Sequence, residues 1–137
     1  MDGFKNKFNE SGRPFDIRER AFQFSVRIVK LCYFLERERL ASKRLLDQLL
    51  DAGTSVGANL EEAQAGQSGR DFIHKNAISL KEARETRYWL RLLLATSDFS
   101  DPVSNRIQDL MGEANELALI IGKIIVNAKK KSETDRR

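Results

Sequence analysis

The single histidine, His74, and the single cysteine, Cys32, bound the catalytic chemistry open to this chain of 137 residues. His74 is the only imidazole that could serve as a base, and Cys32 has no histidine near it in sequence, so no nucleophile has a local partner to activate it. Metal sites in helical proteins draw on glutamates together with paired Glu-x-x-His motifs at inward positions. The nearest match here is Asp71-Phe-Ile-His74. One such pair cannot hold two metals, and His74 lies off the apolar stripe of its helix. Arg70 and His74 stand one residue too close for the helical RNases that pair an arginine with a histidine. The glycine-containing run GTSVGAN (53–59) has neither the GxxxxGK[ST] pattern nor the preceding strand that a phosphate-cradling loop requires. These residues point away from an enzyme, and they imply no catalytic, cofactor-binding or metal-binding residue and no cofactor.

Two other residue groups carry more information. Arg87 falls between Leu80 and Leu94 on what reads as the core stripe of a long helix. A guanidinium placed there needs a carboxylate, because an unpaired buried charge is strongly destabilising, and Glu61 or Glu113 on the flanking helices is the expected partner. The alternative is that Arg87 snorkels to water. The same helix has a second apolar stripe, formed by Ile78, Glu85, Trp89 and Leu92 with Leu93 and Tyr88 beside it. A monomeric four-helix bundle has no use for that stripe, and Trp and Tyr are enriched where proteins meet, so these six residues are candidates for an oligomer interface. A covering loop or N-terminal arm is the competing explanation.

The elements that must position these groups are helices. Only two prolines, Pro14 and Pro102, interrupt the chain, and no segment alternates apolar and polar residues with a period of two, so the fold class is all-α. Asp16 is placed to N-cap the first helix, with Glu19 three residues on in a capping-box arrangement. Ile17, Ala21, Phe24, Ile28, Leu31 and Leu35 follow it at four- and three-residue steps, widened by Phe22, Val26 and Val29. Arg18, Arg20, Arg27 and Lys30 occupy the wetter side. The second helix opens near Ser42 and runs to about Gln67, with Leu46, Leu49, Gly53, Val56, Leu60 and Ala63 on one stripe. Interior glycines cost about 1 kcal/mol each relative to alanine, yet the apolar phase is unchanged across 53–59, so the spacing predicts continuous helix. Gly53 and Gly57 then permit another backbone to approach closely.

Ser68 or Gly69 starts the third helix, which ends between Thr96 and Phe99, its inner stripe comprising Phe72, Ile73, Asn76, Leu80, Ala83, Arg87, Leu90 and Leu94. Ser100 or Asp101 caps the fourth, with Pro102 in its first turn, followed by the seam Val103, Ile107, Leu110, Ala114, Leu117, Ile121, Ile124 and Ala128. Short connections between long helices predict an antiparallel up-down-up-down four-helix bundle over residues 15–131. Residues 1–14 read as a flexible arm and 132–137 as a charged, frayed tail. The lone cysteine precludes an intramolecular disulfide, and the apolar run 117–126, broken by Lys123, is far short of the ~20 residues a membrane span requires. No signal peptide is evident, and a cytoplasmic location with no membrane contact is the expectation.

The net charge is +4. Residues 1–41 carry nine Lys/Arg against six acids, and residues 68–97 six against three. Arg18, Arg20, Arg27, Lys30, Arg84 and Arg91 are therefore the candidates for a basic surface that would take an anionic partner.

The strings FDIRERAFQFSVRIVKL (15–31), GTSVGANLEEAQ (53–64), DFIHKNAISLKEARETRYWLRLL (71–93) and ANEL (114–117) resemble, in collinear order, the bacterial proteins related to the 23S rRNA intervening-sequence protein, the S23 family. That resemblance implies a four-helix bundle assembled as a ring-like homopentamer, and a fold shared with a retroelement accessory protein that binds nucleic acid and a reverse transcriptase. The expected function is non-enzymatic binding of RNA, DNA or a nucleoprotein through basic surfaces, with a protein-binding scaffold as the alternative. The motif residues Gly53, Gly57, Asn59, Glu61 and Arg87 carry over as structural positions only.

Overall fold

A computed structural model describes residues 16–66 and 68–135. It contains four helices, α1 (Ile17–Arg37), α2 (Lys43–Ala65), α3 (Gly69–Thr96) and α4 (Asp101–Asp135). The expected arm, residues 1–14, lies outside the described residues. Each helix packs against its neighbour in sequence, and α1 closes the bundle more lightly on α4. With connections only a few residues long, this is the up-down-up-down arrangement.

Three of the boundaries have a local cause in capping bonds. The Asp16 carboxylate accepts the Arg18 backbone N–H at 2.9 Å, and that bond holds the Asp16 carboxyl below its ordinary pKa. Glu19 does not close a capping box. Its carboxylate accepts instead from Gln23 one turn on, at 3.1 Å. At the other end of α1 the N–H of Leu40 reaches the Leu35 carbonyl (2.9 Å) and that of Arg39 reaches Glu36 (3.1 Å). This is a Schellman closure, with Arg39 at a left-handed φ of 55° where glycine is usual. Ser68 caps α3 by accepting the Asp71 N–H at 3.1 Å.

The core is built from Phe24, Ile28, Leu31 and Leu35 of α1, Leu49 and Val56 of α2, Leu90 and Leu93 of α3, and Ile107, Leu110, Leu117 and Ile121 of α4, all fully buried. The predicted seam of α4 slips by one residue near its end, where Ile125 rather than Ile124 is buried. α2 is one unbroken helix through Gly53 and Gly57. A Cβ at Gly53 would fall 2.7 Å from Ile28 Cγ2, so this glycine lets α1 settle into α2. The hydroxyl of Ser25 donates to the Gly53 carbonyl at 3.1 Å across the same interface.

α3 departs most from expectation. Its buried face is Asn76, Ser79, Ala83, Thr86, Leu90 and Leu93, rotated from the predicted stripe so that Leu80 and Leu94 become half-buried flanks. Three of the six are polar, yet each is satisfied. Asn76 donates to the Phe72 carbonyl (2.9 Å), Thr86 to Glu82 (2.7 Å), and Ser79 across the interface to the Val56 carbonyl of α2 (2.7 Å). α4, with 35 residues, is about 52 Å long at 1.5 Å per residue. The stretch read as a frayed tail continues as helix to Asp135.

Candidate nucleic-acid interface

Arg87, the sharpest anomaly of the sequence, is corrected by the fold. It is exposed, because the rotation of α3 carries it off the core, and it tethers nothing inside the bundle. Its two expected partners are engaged elsewhere. Glu113 pairs with Arg20, and Glu61 approaches Arg18 at 3.9 Å. With Arg84 and Arg91, both also exposed, Arg87 occupies an arc of about 60° on the helix at about 100° per residue. Lys75 and Ser79, which reach α2 through Glu62 and Val56, lie on the opposite flank. The three arginines therefore stand on the α4 side of α3. None has a carboxylate within ion-pairing distance among the described residues.

The basic candidates on α1 divide into two sets. Arg20, expected on the wetter side, is only 15% exposed in its side chain and is bound by Glu113 and by Glu116 (3.2 Å), so it is withdrawn from the surface; the Glu113 hydrogen bond raises its pKa. Arg18 is held by Asp16 and, loosely, by Glu61. Arg27 and Lys30 have no acidic partner among the described residues. A further cation was missed in the sequence: Arg106 of α4 stands over the Phe34 ring at 5.7 Å, and Arg37 stands at 5.7 Å from the same centroid. Burial, and then the positive charge of Arg27, push the Arg106 pKa down. Arg37 pairs with Glu38 at 3.5 Å, whereas Arg27 and Arg106 share the α1–α4 groove with no ion pair among the described residues. The only sequence signal was the helical phase of Arg106, one residue before the core position Ile107.

The interface candidates on α3 also separate. Leu93 is 1% exposed and belongs to the core of the single chain, a correction that follows from the same rotation. Trp89 packs half-buried against that core, its indole N–H donating to Glu85 at 3.4 Å and its ring edge-to-face with Tyr88 at 5.3 Å. Ile78, Glu85 and Leu92 are half-buried, and Tyr88 is exposed. Tyr88, Leu92, Ala95 and the stem of Arg91 line a shallow cleft of about 180 Å³. Asn59 bonds only within its own helix, to the Ser55 carbonyl at 2.8 Å.

Among the described residues no reactive constellation emerges. Cys32 is buried, with its thiol pushed up to about 12, chiefly by burial, so it is a protonated packing residue. His74 is exposed, and among the described residues no three His, Cys, Asp or Glu side chains lie close enough to hold a metal. An open cleft of about 620 Å³ between the start of α3 and the last turns of α4 is lined by Arg70, Phe72, Ile73 and Lys131 among others, without a nucleophile and base in contact. Among the described residues no helix is long and apolar enough to cross a membrane.

The chain is thus an all-α four-helix bundle with exposed arginines on its surface. The 23S rRNA-intervening sequence protein family matches residues 13–123, and the chain belongs to that family. It is similar to a crystal structure of a protein of unknown function from the S23 ribosomal protein family of Bacteroides thetaiotaomicron. The two are 37% identical over 80% of this chain and 98% of the other, with a TM-score of 0.73. No curated protein matches the chain.

Proposed function

We propose that this protein is a non-enzymatic, homo-oligomeric bundle that binds nucleic acid through its basic surfaces. The observation that carries the reading is the row Arg84, Arg87 and Arg91, exposed along one arc of α3 with no carboxylate to neutralise it among the described residues. Arginines left unpaired along a helix suit a ladder of phosphates, which exchange condensed counterions for guanidinium contacts. Removing all three charges, as R84Q/R87Q/R91Q, is expected to weaken RNA binding at low salt and to lower the slope of log K against log salt by about 2.1 to 2.7, at roughly 0.7 to 0.9 for each phosphate no longer neutralised. Absence of RNA and DNA binding by the unaltered protein at about 50 mM salt, where such electrostatic binding is strong, would end the reading.

Self-association is part of the same proposal, with a pentamer as the expected form. Its support is the exposed Tyr88 beside the apolar cleft it shares with Leu92 and Ala95, a pairing of residue types common at protein interfaces. The same cleft favours a second reading, a scaffold that docks a different chain. A solution mass measurement separates them, since the scaffold reading expects a monomer and the first an oligomer that Tyr88→Asp disrupts.

A further inference from the structure

We infer that the outward face of the first half of α4 is the floor on which the polynucleotide lies, with Arg27 and Arg106 holding its phosphates along the α1 edge. The inference rests on the nucleic-acid reading above and places the bound strand on the molecule.

Along the α1–α4 groove acids and bases are unequally shared. Where α1 meets α4, Arg20 receives two carboxylates, Glu113 and Glu116. Seven residues further along α1 and seven back along α4, the matching level holds Arg27 and Arg106, two cations and no ion pair among the described residues. Burial and the nearness of Arg27 both disfavour the charge on Arg106, so the pair is a cost to the folded chain. An oxyanion between them converts that cost into two charge-assisted hydrogen-bonding partners. Packing alone does not require the arrangement, because the stem of a glutamine or a methionine would cover Phe34 without a second full charge in the groove.

The position of the pair relative to α3 completes the surface. Matching the antiparallel helices across the connection 97–100 puts Arg91 near the level of Arg106 and Arg84 near that of Glu113. The two sets of arginines therefore flank the same stretch of α4 from opposite sides. Between them α4 turns outward Asn105, Gln108, Gly112 and Asn115, all exposed and none charged. Gly112 has open space where a Cβ would be. An uncharged polar strip about one helix diameter wide, 10–12 Å, bordered by arginines on both edges, admits a polyanion without repelling it. Asp109, half-exposed toward the α1 edge, and Asp101, exposed at the start of the same outward face, are the acidic groups that oppose the strand, while Glu116 is occupied by Arg20.

The experiment measures binding of a labelled 24-nucleotide oligouridylate and of a 24-base-pair RNA duplex to the full chain as a function of salt. R27Q/R106Q is expected to weaken binding about 10-fold or more at 100 mM salt and to lower the salt slope by about 1.4 to 1.8. Asp109→Asn should tighten binding about 2- to 5-fold, the effect of removing one repelling charge. Arg44→Gln, exposed on α2 on the far side of the bundle, serves as the control and should change binding less than 2-fold. If R27Q/R106Q keeps both its melting temperature and its affinity while R84Q/R87Q/R91Q loses binding, the α4 floor is wrong and the nucleic-acid reading stands. If R27Q/R106Q melts early, Arg27→Lys/Arg106→Lys, which keeps both charges, must retain affinity and slope, and loss of either overturns the site. If the unaltered chain binds neither probe, both fall together.

Discussion

Arg20 of α1 grips Glu113 of α4 as a two-pronged fork, Nε donating to Oε2 at 2.9 Å and Nη2 to Oε1 at 2.7 Å. It is the firmest polar link across the light α1–α4 interface. Each side chain is 15% exposed, between the surface pairs that contribute little and the buried ones whose rupture is severe. Glu113→Gln should therefore cost about 1–2 kcal/mol, read as a lower denaturant midpoint with an unchanged m-value. A variant as stable as the parent would show that Glu116 alone suffices for Arg20.

The two glycines of α2 are expected to behave oppositely. At Gly53 an alanine methyl meets Ile28 at 2.7 Å, whereas at Gly57 the nearest atoms lie at 3.5 Å, an ordinary van der Waals separation. Gly57→Ala should gain up to about 1 kcal/mol of helix propensity. Gly53→Ala should lose about 1–2 kcal/mol, overpacking outweighing the same gain. Thermal melts of the two variants give the answer by their difference in sign.

At Arg39 the backbone adopts a left-handed φ of 55°, a conformation glycine takes without steric penalty. Arg39→Gly should raise stability by about 0.5–1 kcal/mol. A decrease would mean that the arginine side chain contributes more than its backbone costs.

Glu82 is a carboxylate held at a disadvantage. Burial, and then the neighbouring Glu85, raise its pKa. The folded state thus binds a proton more readily than the unfolded chain, and stability attributable to this group falls as pH rises from the ordinary glutamate value, about 4.3, through the raised folded value. Glu82→Gln should accordingly stabilise the protein at pH 7, by a few tenths of a kcal/mol given its partial exposure, and the advantage should vanish below about pH 4. A melting-temperature difference that stays constant from pH 3 to 8 would refute this origin.

Three of the four helices were legible because their core stripes are apolar at every position. Ala21 to Leu35, Leu46 to Ala63 and Ile107 to Ile121 each sum to an unambiguous phase, and the glycines of α2 do not disturb it. α3 was misphased for a physical reason. Its inner face is half polar, and Asn76 and Thr86 hide their hydrogen-bonding groups in carbonyls of their own helix, a device that leaves no trace in hydrophobicity. Leu80 and Leu94 then outweighed Ser79 and Thr86, Arg87 was drawn inward and Leu93 outward. The extent of α4 at its charged end, helical to Asp135, was not legible because hydropathy says nothing about a helix whose side chains are solvated on most sides. Arg106 escaped notice because its significance depends on Arg27 of another helix, a coincidence only the packing reveals.

The hydroxyl of Ser79 that donates to the Val56 carbonyl acts as a vernier. Helices held by leucines alone can slide by a turn, about 5.4 Å, and still find apolar neighbours. A slip of α3 along α2 would strand that hydroxyl among apolar side chains, at a cost of roughly 1–3 kcal/mol for an unmade buried hydrogen bond. Together with the Lys75–Glu62 ion pair, that oxygen helps to set the height at which α3 presents its arginines, much as a detent pin fixes a sliding rule.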